Sequence, residues 1–395
     1  MTIQSPGWLR RYYSGRRLML FVVFALLVAA ALHGWLPFIY APSYTPKTLT
    51  ALPAQRTTHC MGRYLIDLPS NFELHTGGWG NIHLYYGLDR NFERVYATVK
   101  NVRYTNETFW KEVNIRRFEL NDQINDMTKE PVLLHSEQIN TTTALLRHLG
   151  DKIYALSIKT EVHVLVGHRY VILEEESYSK DQMSASYKSA EPEKAETRLK
   201  LIASKLLPYE NAEHAKPGFC MQGVLFDVGQ DDEVASFDFR TKDLPDLNLT
   251  VDYHAVTGQP SEGILKRRQE AYQIHPAFLL SVATMRKGKT RLADVPAEQS
   301  LTKITQPITQ HNFIIERRDN APFTLNRPHF GISLTTGNEY QTPIGEEERK
   351  RAPYTDKSFY LSSDKAMVYR ADNSVLSDAQ VLKLWDDMVA SVRKR

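Results

Sequence analysis

Residues that carry covalent chemistry are scarce in this sequence. Its 395 residues include only two cysteines, Cys60 and Cys220. No H-E-x-x-H occurs among the 13 histidines, which removes a common zinc-hydrolase pattern. No G-x-S-x-G is intact, since Gly331-Ile332-Ser333-Leu334-Thr335 lacks the second glycine of a nucleophile elbow. Arg286-Lys287-Gly288-Lys289-Thr290 resembles the end of a phosphate loop, but Ala283 stands where the first glycine must be. The sequence therefore offers no catalytic, cofactor or metal residue. It also lacks a basic stripe in its folded part. The net charge of +3 owes four charges to Arg10, Arg11, Arg16 and Arg17, and without them 45 basic residues face 46 acidic ones. That balance excludes a nucleic-acid binder.

What is present is apolar material for two cores. Hydrophobic content is 42% and charged content 24%, with no low-complexity run, and the length favours two domains of ordinary size. The reading is a basic leader at 1–17, a transmembrane signal anchor at 18–40 and a Pro-containing tether at 41–58. An N-terminal domain at 59–209, a connector at 210–217 and a C-terminal domain at 218–395 follow. Leu18 to Leu32 is an unbroken apolar run. At about 1.5 Å per residue it falls short of a hydrocarbon core of about 30 Å, and Trp35, Leu36, Phe38, Ile39 and Tyr40 supply the remainder. Arg16 and Arg17 hold the near end in the cytoplasm, so the bulk of the chain is exported. A cleaved signal peptide, cut after Ala29, Ala30 and Ala31, is the alternative.

The chain is organised around a self-match. Cys60-Met61-Gly62-Arg63-Tyr64-Leu65-Ile66-Asp67-Leu68-Pro69 has an echo in Cys220 to Val228, with Cys, Met, Leu and Asp at the same offsets. Such a match at one domain length suggests a duplicated unit. The expected fold class is α+β, two related domains, each an antiparallel sheet with packed helices. In the first, a helix over Asn106 to Met127, capped by Asn106, places Phe109, Trp110, Val113, Leu120, Ile124 and Met127 in one arc. A meander over Thr143 to Tyr178 follows, then a helix opened by Pro192. The second half has strands near Val234 to Arg240, Leu247 to Val256, Phe278 to Met285, His311 to Arg317, Phe330 to Thr335 and Ala366 to Arg370. A short helix is capped by Ser261. Ser377 and Gln380 form a capping box before Val381, Trp385, Met388 and Val392.

Titratable clusters are weighed in the same way. His163 and His168 read as solvated hairpin residues. Glu174-Glu175-Glu176, Asp231-Asp232-Glu233 and Glu346-Glu347-Glu348 read as solvated faces or partner-contact loops. Of these, the triplets at Asp231, Asp232, Glu233 and at Glu346, Glu347, Glu348 are the expected contacts for a partner. Cys60 and Cys220, at equivalent places in duplicated domains, either meet near a pseudo-twofold axis and bond or remain two small buried strand residues.

Cys60, Gly62, Arg63, Tyr64, Ile66, Asp67, Leu68 and Pro69, with Gly218, Phe219 and Cys220 opening the other half, resemble the immunity proteins that neutralise type VI secretion lipase effectors. The resemblance implies a membrane-tethered periplasmic protein without catalysis, cofactor or small-molecule substrate. Its partner would be a phospholipase of the α/β-hydrolase type, on which the two domains close like a claw near the lid. The motif residues are then structural, with Asp67 and Asp227 pinning strand ends. An unrecognised envelope enzyme and an envelope structural or assembly component are the competing readings.

Overall fold

The computed structural model describes residues 52–75, 82–86, 94–150, 157–177, 191–213, 216–256, 262–274, 281–305, 308–318, 322–337, 339–343, 367–371 and 373–395. The leader, the hydrophobic segment 18–40, most of the tether, Ser261, Glu346, Glu347 and Glu348 lie outside these residues. Among the described residues no helix is long and apolar enough to cross a membrane.

The first half runs β1 (Arg56–Gly62), β2 (Tyr64–Pro69), β3 (Glu73–His75), β4 (Ile82–Tyr85), β5 (Arg94–Arg103), α1 (Asn106–Asp122), β6 (Leu133–Asn140), β7 (Thr143–Leu149), β8 (Ile158–Val166), β9 (Arg169–Ser177) and α2 (Pro192–Lys205). The second runs β10 (Leu207–Pro208), β11 (Phe219–Met221), β12 (Val224–Phe226), β13 (Asp232–Arg240), β14 (Asn248–His254), α3 (Ile264–Ile274), β15 (Val282–Leu292), β16 (Val295–Ile304), β17 (Gln310–Arg317), β18 (His329–Thr336), β19 (Glu339–Pro343), β20 (Met367–Ala371), α4 (Asp378–Ser391) and β21 (Arg393–Lys394). Strands such as β14 and β17 alternate buried and half-buried residues, the period-two pattern of a sheet with one face on a core.

Local chemistry explains where the helices begin and stop. Thr105, one residue before the expected cap, closes a capping box with Thr108, and Asn106 instead donates its side-chain amide to the Thr141 carbonyl. The helix stops at Asp122, short of Met127. There the Asn125 side chain accepts the Met127 and Thr128 amides, a local turn that competes with helical bonding. Ile124 and Met127 are consequently exposed rather than part of the buried arc. Pro192 opens α2, and the Ser377–Gln380 box opens α4.

Several strands escape the sequence pattern, β6 and β16 the longest among them. β6 is exposed along most of its length and so carries little apolar alternation. β16 follows β15 through a turn at Ala293 and Asp294, with φ of 47° and 63°. Hairpin turns of this kind are usually marked by Asn-Gly or Asp-Gly, and neither is present. Arg286 to Thr290 lie within β15, paired with Ala297 to Leu301, so this stretch is extended strand rather than a phosphate loop.

The halves do not keep separate sheets. Thirteen strands form one sheet in the order β15-β16-β17-β18-β14-β13-β4-β5-β9-β8-β7-β6, with β3 also on β13. The ladder between β4 and β13 joins first half to second. A six-stranded sheet, β10-β12-β11-β1-β2-β21, likewise mixes the two. One apolar core runs through both, taking in Met61, Ile66, Leu68 and Leu173 with Phe219, Phe237, Tyr253, Phe313 and Trp385. Each such side chain contributes roughly 1.5–3 kcal/mol by leaving water.

Candidate functional site

The two Cys hairpins meet side by side. β1 pairs antiparallel with β11, setting Met61 against Met221 and Gly62 against Cys220. Cys60 and Cys220, 160 positions apart in sequence, are disulfide-bonded with Cα atoms 5.8 Å apart. Gly62 turns β1 into β2 at φ +65°, and a Cβ there would stand 3.1 Å from Phe219 and 3.2 Å from Tyr253. Gly218 leads into the second hairpin at φ +147°, where a Cβ would lie 2.9 Å from Leu225. Phe219 is fully buried, edge-on to Phe226 and Tyr253. Tyr64 stacks on Phe330 at 4.6 Å. Pro69 ends β2, its carbonyl accepting the Phe72 amide at 3.0 Å.

The polar side chains of this seam are bound to one another. Arg63 reaches Glu233 through a fork, Nε to Oε2 at 3.1 Å and Nη2 to Oε1 at 2.7 Å. The Tyr253 hydroxyl donates to Glu233 Oε2 at 2.9 Å, and Gln230 donates to Oε1. Burial opposes the Arg63 charge, yet the hydrogen bonds and charge of Glu233 outweigh it and raise the guanidinium pKa. Burial, then the neighbouring Glu233 charge, pushes the Tyr253 phenol well above its ordinary range. Asp67 accepts from Thr58 Oγ1 at 2.8 Å and pairs with Arg393 at 3.0 Å, while its amide donates to Ser391 Oγ at 2.9 Å. Asp227 does not repeat this. It is exposed just beyond β12 and makes no hydrogen bond or ion pair to another described residue, so the strand-pinning role expected of it is not present.

The acidic triplet expected to meet a partner is mostly interior. Asp232 and Glu233 are 3% and 0% exposed, and only Asp231 stays at the surface. Alternation along β13 and the need to neutralise Arg63 draw Glu233 inward. The triplet on β9 is split in the same way: Glu175 is buried against Arg198 at 2.7 Å, while Glu174 faces Lys159 and Glu176 faces Ser157.

His163 is not a solvated hairpin residue. It is buried, bonded to Glu161 at 3.0 Å and to the Tyr170 hydroxyl at 2.6 Å. His148 reaches the same carboxylate at 2.9 Å, and Arg116 from α1 grips it at 2.6 and 3.2 Å. Burial works against ionising Glu161, but these hydrogen bonds outweigh it and hold the carboxyl well below its usual range. Sequence reasoning missed this cluster. Its one signal is that Glu161 and His163, two apart, share a strand face. No group of three or more His, Cys, Asp or Glu able to hold a metal occurs among the described residues. Clefts of about 380 and 330 Å³ flank β6, and neither is lined by a motif residue.

Fold and seam together define a class: a sheet-rich protein of two halves, stitched by a disulfide and ion pairs, in which Cys60, Arg63 and Asp67 of the motif bind residues of the second half. The comparisons give that class a family. The sequence model described as the Tle cognate immunity protein 4 N-terminal domain matches residues 57–206, and that of the C-terminal domain matches 214–359. The chain belongs to the Tle cognate immunity protein 4 family. Among solved structures it is similar to the apo immunity protein TplEi of the T6SS from Pseudomonas aeruginosa, at 18% identity and TM-score 0.56, covering 86% of this chain and 97% of that one. It is similar to the Tle4–Tli4 complex at 18% identity and TM-score 0.57, with coverage of 86% and 97%. TplEi complexed with "L" peptide matches at 17% identity and TM-score 0.53, covering 87% and 99%. At this identity the likeness speaks for the fold. Among curated proteins no match was found.

Proposed function

We propose that this protein binds and inhibits a phospholipase effector delivered by type VI secretion, acting as a periplasmic immunity protein without catalysis of its own. The observation that carries the reading is the match of both family domains in order, across both halves. A relative of the same fold is solved as the Tle4–Tli4 complex, which supports a protein partner. The Cys60–Cys220 bond supports an exported, oxidising location, and Leu18 to Leu32 behind four arginines supports an inner-membrane tether. In this reading the effector is clamped near its lid. Silencing an incoming enzyme calls for nanomolar binding, about −12 kcal/mol, and hence an interface of at least ordinary size.

The test is calorimetric titration of residues 42–395 into the lipase encoded beside this protein, with phospholipase activity followed in parallel. Nanomolar binding with loss of activity is the expected result. No heat and undiminished activity, repeated with other candidate lipases, would remove the proposal.

A further inference from the structure

The segment Arg393-Lys394-Arg395 touches both halves. It continues from α4, which is fixed to the second half by Asp378 on Lys303 at 3.0 Å and His311 at 3.0 Å and by Trp385 edge-on to Phe313 at 5.7 Å, and which already meets the first through Asp387 on Arg56 at 2.7 Å and Ser391 on the Asp67 amide at 2.9 Å. Beyond α4 the chain adds a strand to the first half, pairing Arg393 with Leu65 and Lys394 with Tyr64. The Arg395 amide then donates to the Arg63 carbonyl at 3.1 Å.

The side chains repeat the bridge. Arg393 holds Asp67 of β2 at 3.0 Å with one nitrogen and Glu213, next to the second Cys hairpin, at 2.6 Å with another. Lys394 donates to the Asn326 carbonyl of the second half at 3.2 Å. Arg395 donates to the Gly218 carbonyl at 3.4 Å and to that of Lys216. Its guanidinium also lies against both sulfurs of the Cys60–Cys220 bond. Cys60 is 5% exposed and Cys220 is fully buried beneath it.

We propose that Arg393–Arg395 is a strap that locks the two halves into one rigid body and covers the disulfide, so that the jaws are set before the effector arrives. The clause about the effector rests on the function proposed above; the lock does not. A preformed clamp avoids the ordering cost of closing on its target, which is the general advantage of preorganisation. The strap suits this role because it pairs with β2 and Asp67 of the first half while its side chains also hold Asn326, Lys216 and Gly218 of the second. The shared sheet and core supply rigidity near the β4–β13 ladder, and the strap supplies it at the opposite, six-stranded layer.

Two measurements on the free protein test the lock. In the first, reduction of the disulfide by dithiothreitol is followed by alkylation under native conditions. The dithiol attacks one sulfur, is oxidised to its cyclic disulfide, and leaves Cys60 and Cys220 as two thiols. Arg395→Met and the pair Arg393→Met with Arg395→Met should be reduced at least about tenfold faster, equivalent to roughly 1.4 kcal/mol of lost protection. Arg395→Lys, which keeps a donor but not the fork, should fall between. In the second, spin labels at Leu134→Cys on β6 and Lys289→Cys on β15 report the distance between the two ends of the large sheet. The expected distribution is narrow and the same with and without effector, and it broadens in the strap variants.

Equal reduction rates in folded variants, or a distance that shifts when effector binds the native strap, would overturn the proposal. Should a variant not fold, hydrogen exchange on the native protein decides: Arg393 and Arg395 amides exchanging as fast as exposed loops would also overturn it. If the wild-type protein binds no lipase, the proposed function falls while both measurements on the free protein still stand.

Discussion

Arg63, at the turn of the first Cys hairpin, is held in a two-pronged ion pair by Glu233, 170 residues away and fully buried at the start of β13. This is the polar counterpart of the disulfide, and it ties the six-stranded sheet to the thirteen-stranded one. Removing one partner of a buried pair leaves an uncompensated charge, which costs more than the pair contributes. Arg63→Met should therefore lose about 3–5 kcal/mol in urea unfolding. Combining it with Glu233→Gln should recover part of that loss, whereas a double variant as damaged as the sum of the singles would show the two residues are not coupled.

The covalent link should be visible without reduction. Alkylation of the unfolded, unreduced protein should find no free thiol. Cys60→Ser with Cys220→Ser should cost up to about 5 kcal/mol on the chain-entropy estimate for so long a loop. Two free thiols in freshly purified protein would show that the bond does not form.

Gly62 is required by its backbone. At φ +65° with two aromatic rings at 3.1–3.2 Å, it has neither the conformation nor the space for a side chain. Gly62→Ala should destabilise by more than about 1 kcal/mol, measured as a fall in the urea midpoint at unchanged slope.

The two aspartates of the repeat should behave differently. Asp67→Ala removes bonds to Thr58 and Arg393 and should cost roughly 1–3 kcal/mol. Asp227→Ala, at an exposed position, should stay within about 0.5 kcal/mol. Equal effects would mean that the repeat is symmetric in energy as well as in sequence.

Acid should unfold the protein in two stages. Burial brings His59 down from 6.5 to about 4, and its Nε2 has no hydrogen-bond partner among the described residues. The unfolded chain thus binds more protons than the folded one between these values. Stability is complete above pH 6.5 and falls as pH drops toward 4, by about 3 kcal/mol at most. Glu161, held below its ordinary value, adds a loss that begins as pH passes below about 4.5, where the unfolded carboxylate takes up protons. A series of Tm measurements should show the first window flattened by His59→Phe and the second left in place.

Much of the architecture is written locally. The repeat of Cys, Met, Leu and Asp marks the two hairpins, the Ser377–Gln380 box marks α4, and alternation marks β13, β14, β17 and β18. These are short-range patterns, set by the periods of strand and helix and by the donors left open at a helix start. β16 was illegible because its turn uses Ala293 and Asp294 at positive φ, residues that carry no turn signal. Asn125 shortened α1 through a side-chain turn that competes with the very helix its sequence predicts.

What the amino-acid order by itself determined is the pair of Cys hairpins, the strand-rich composition and the resemblance carried by residues near Cys60 and Cys220. Only the tertiary structure decided that the halves share one sheet and core, that Glu233, Glu175 and His163 face inward, and that Arg393 and Arg395 bridge the seam. The reason is physical. A charged residue in a run shows its local face but not its partner, and whether it enters the interior depends on a compensating group brought close by the fold from far along the chain.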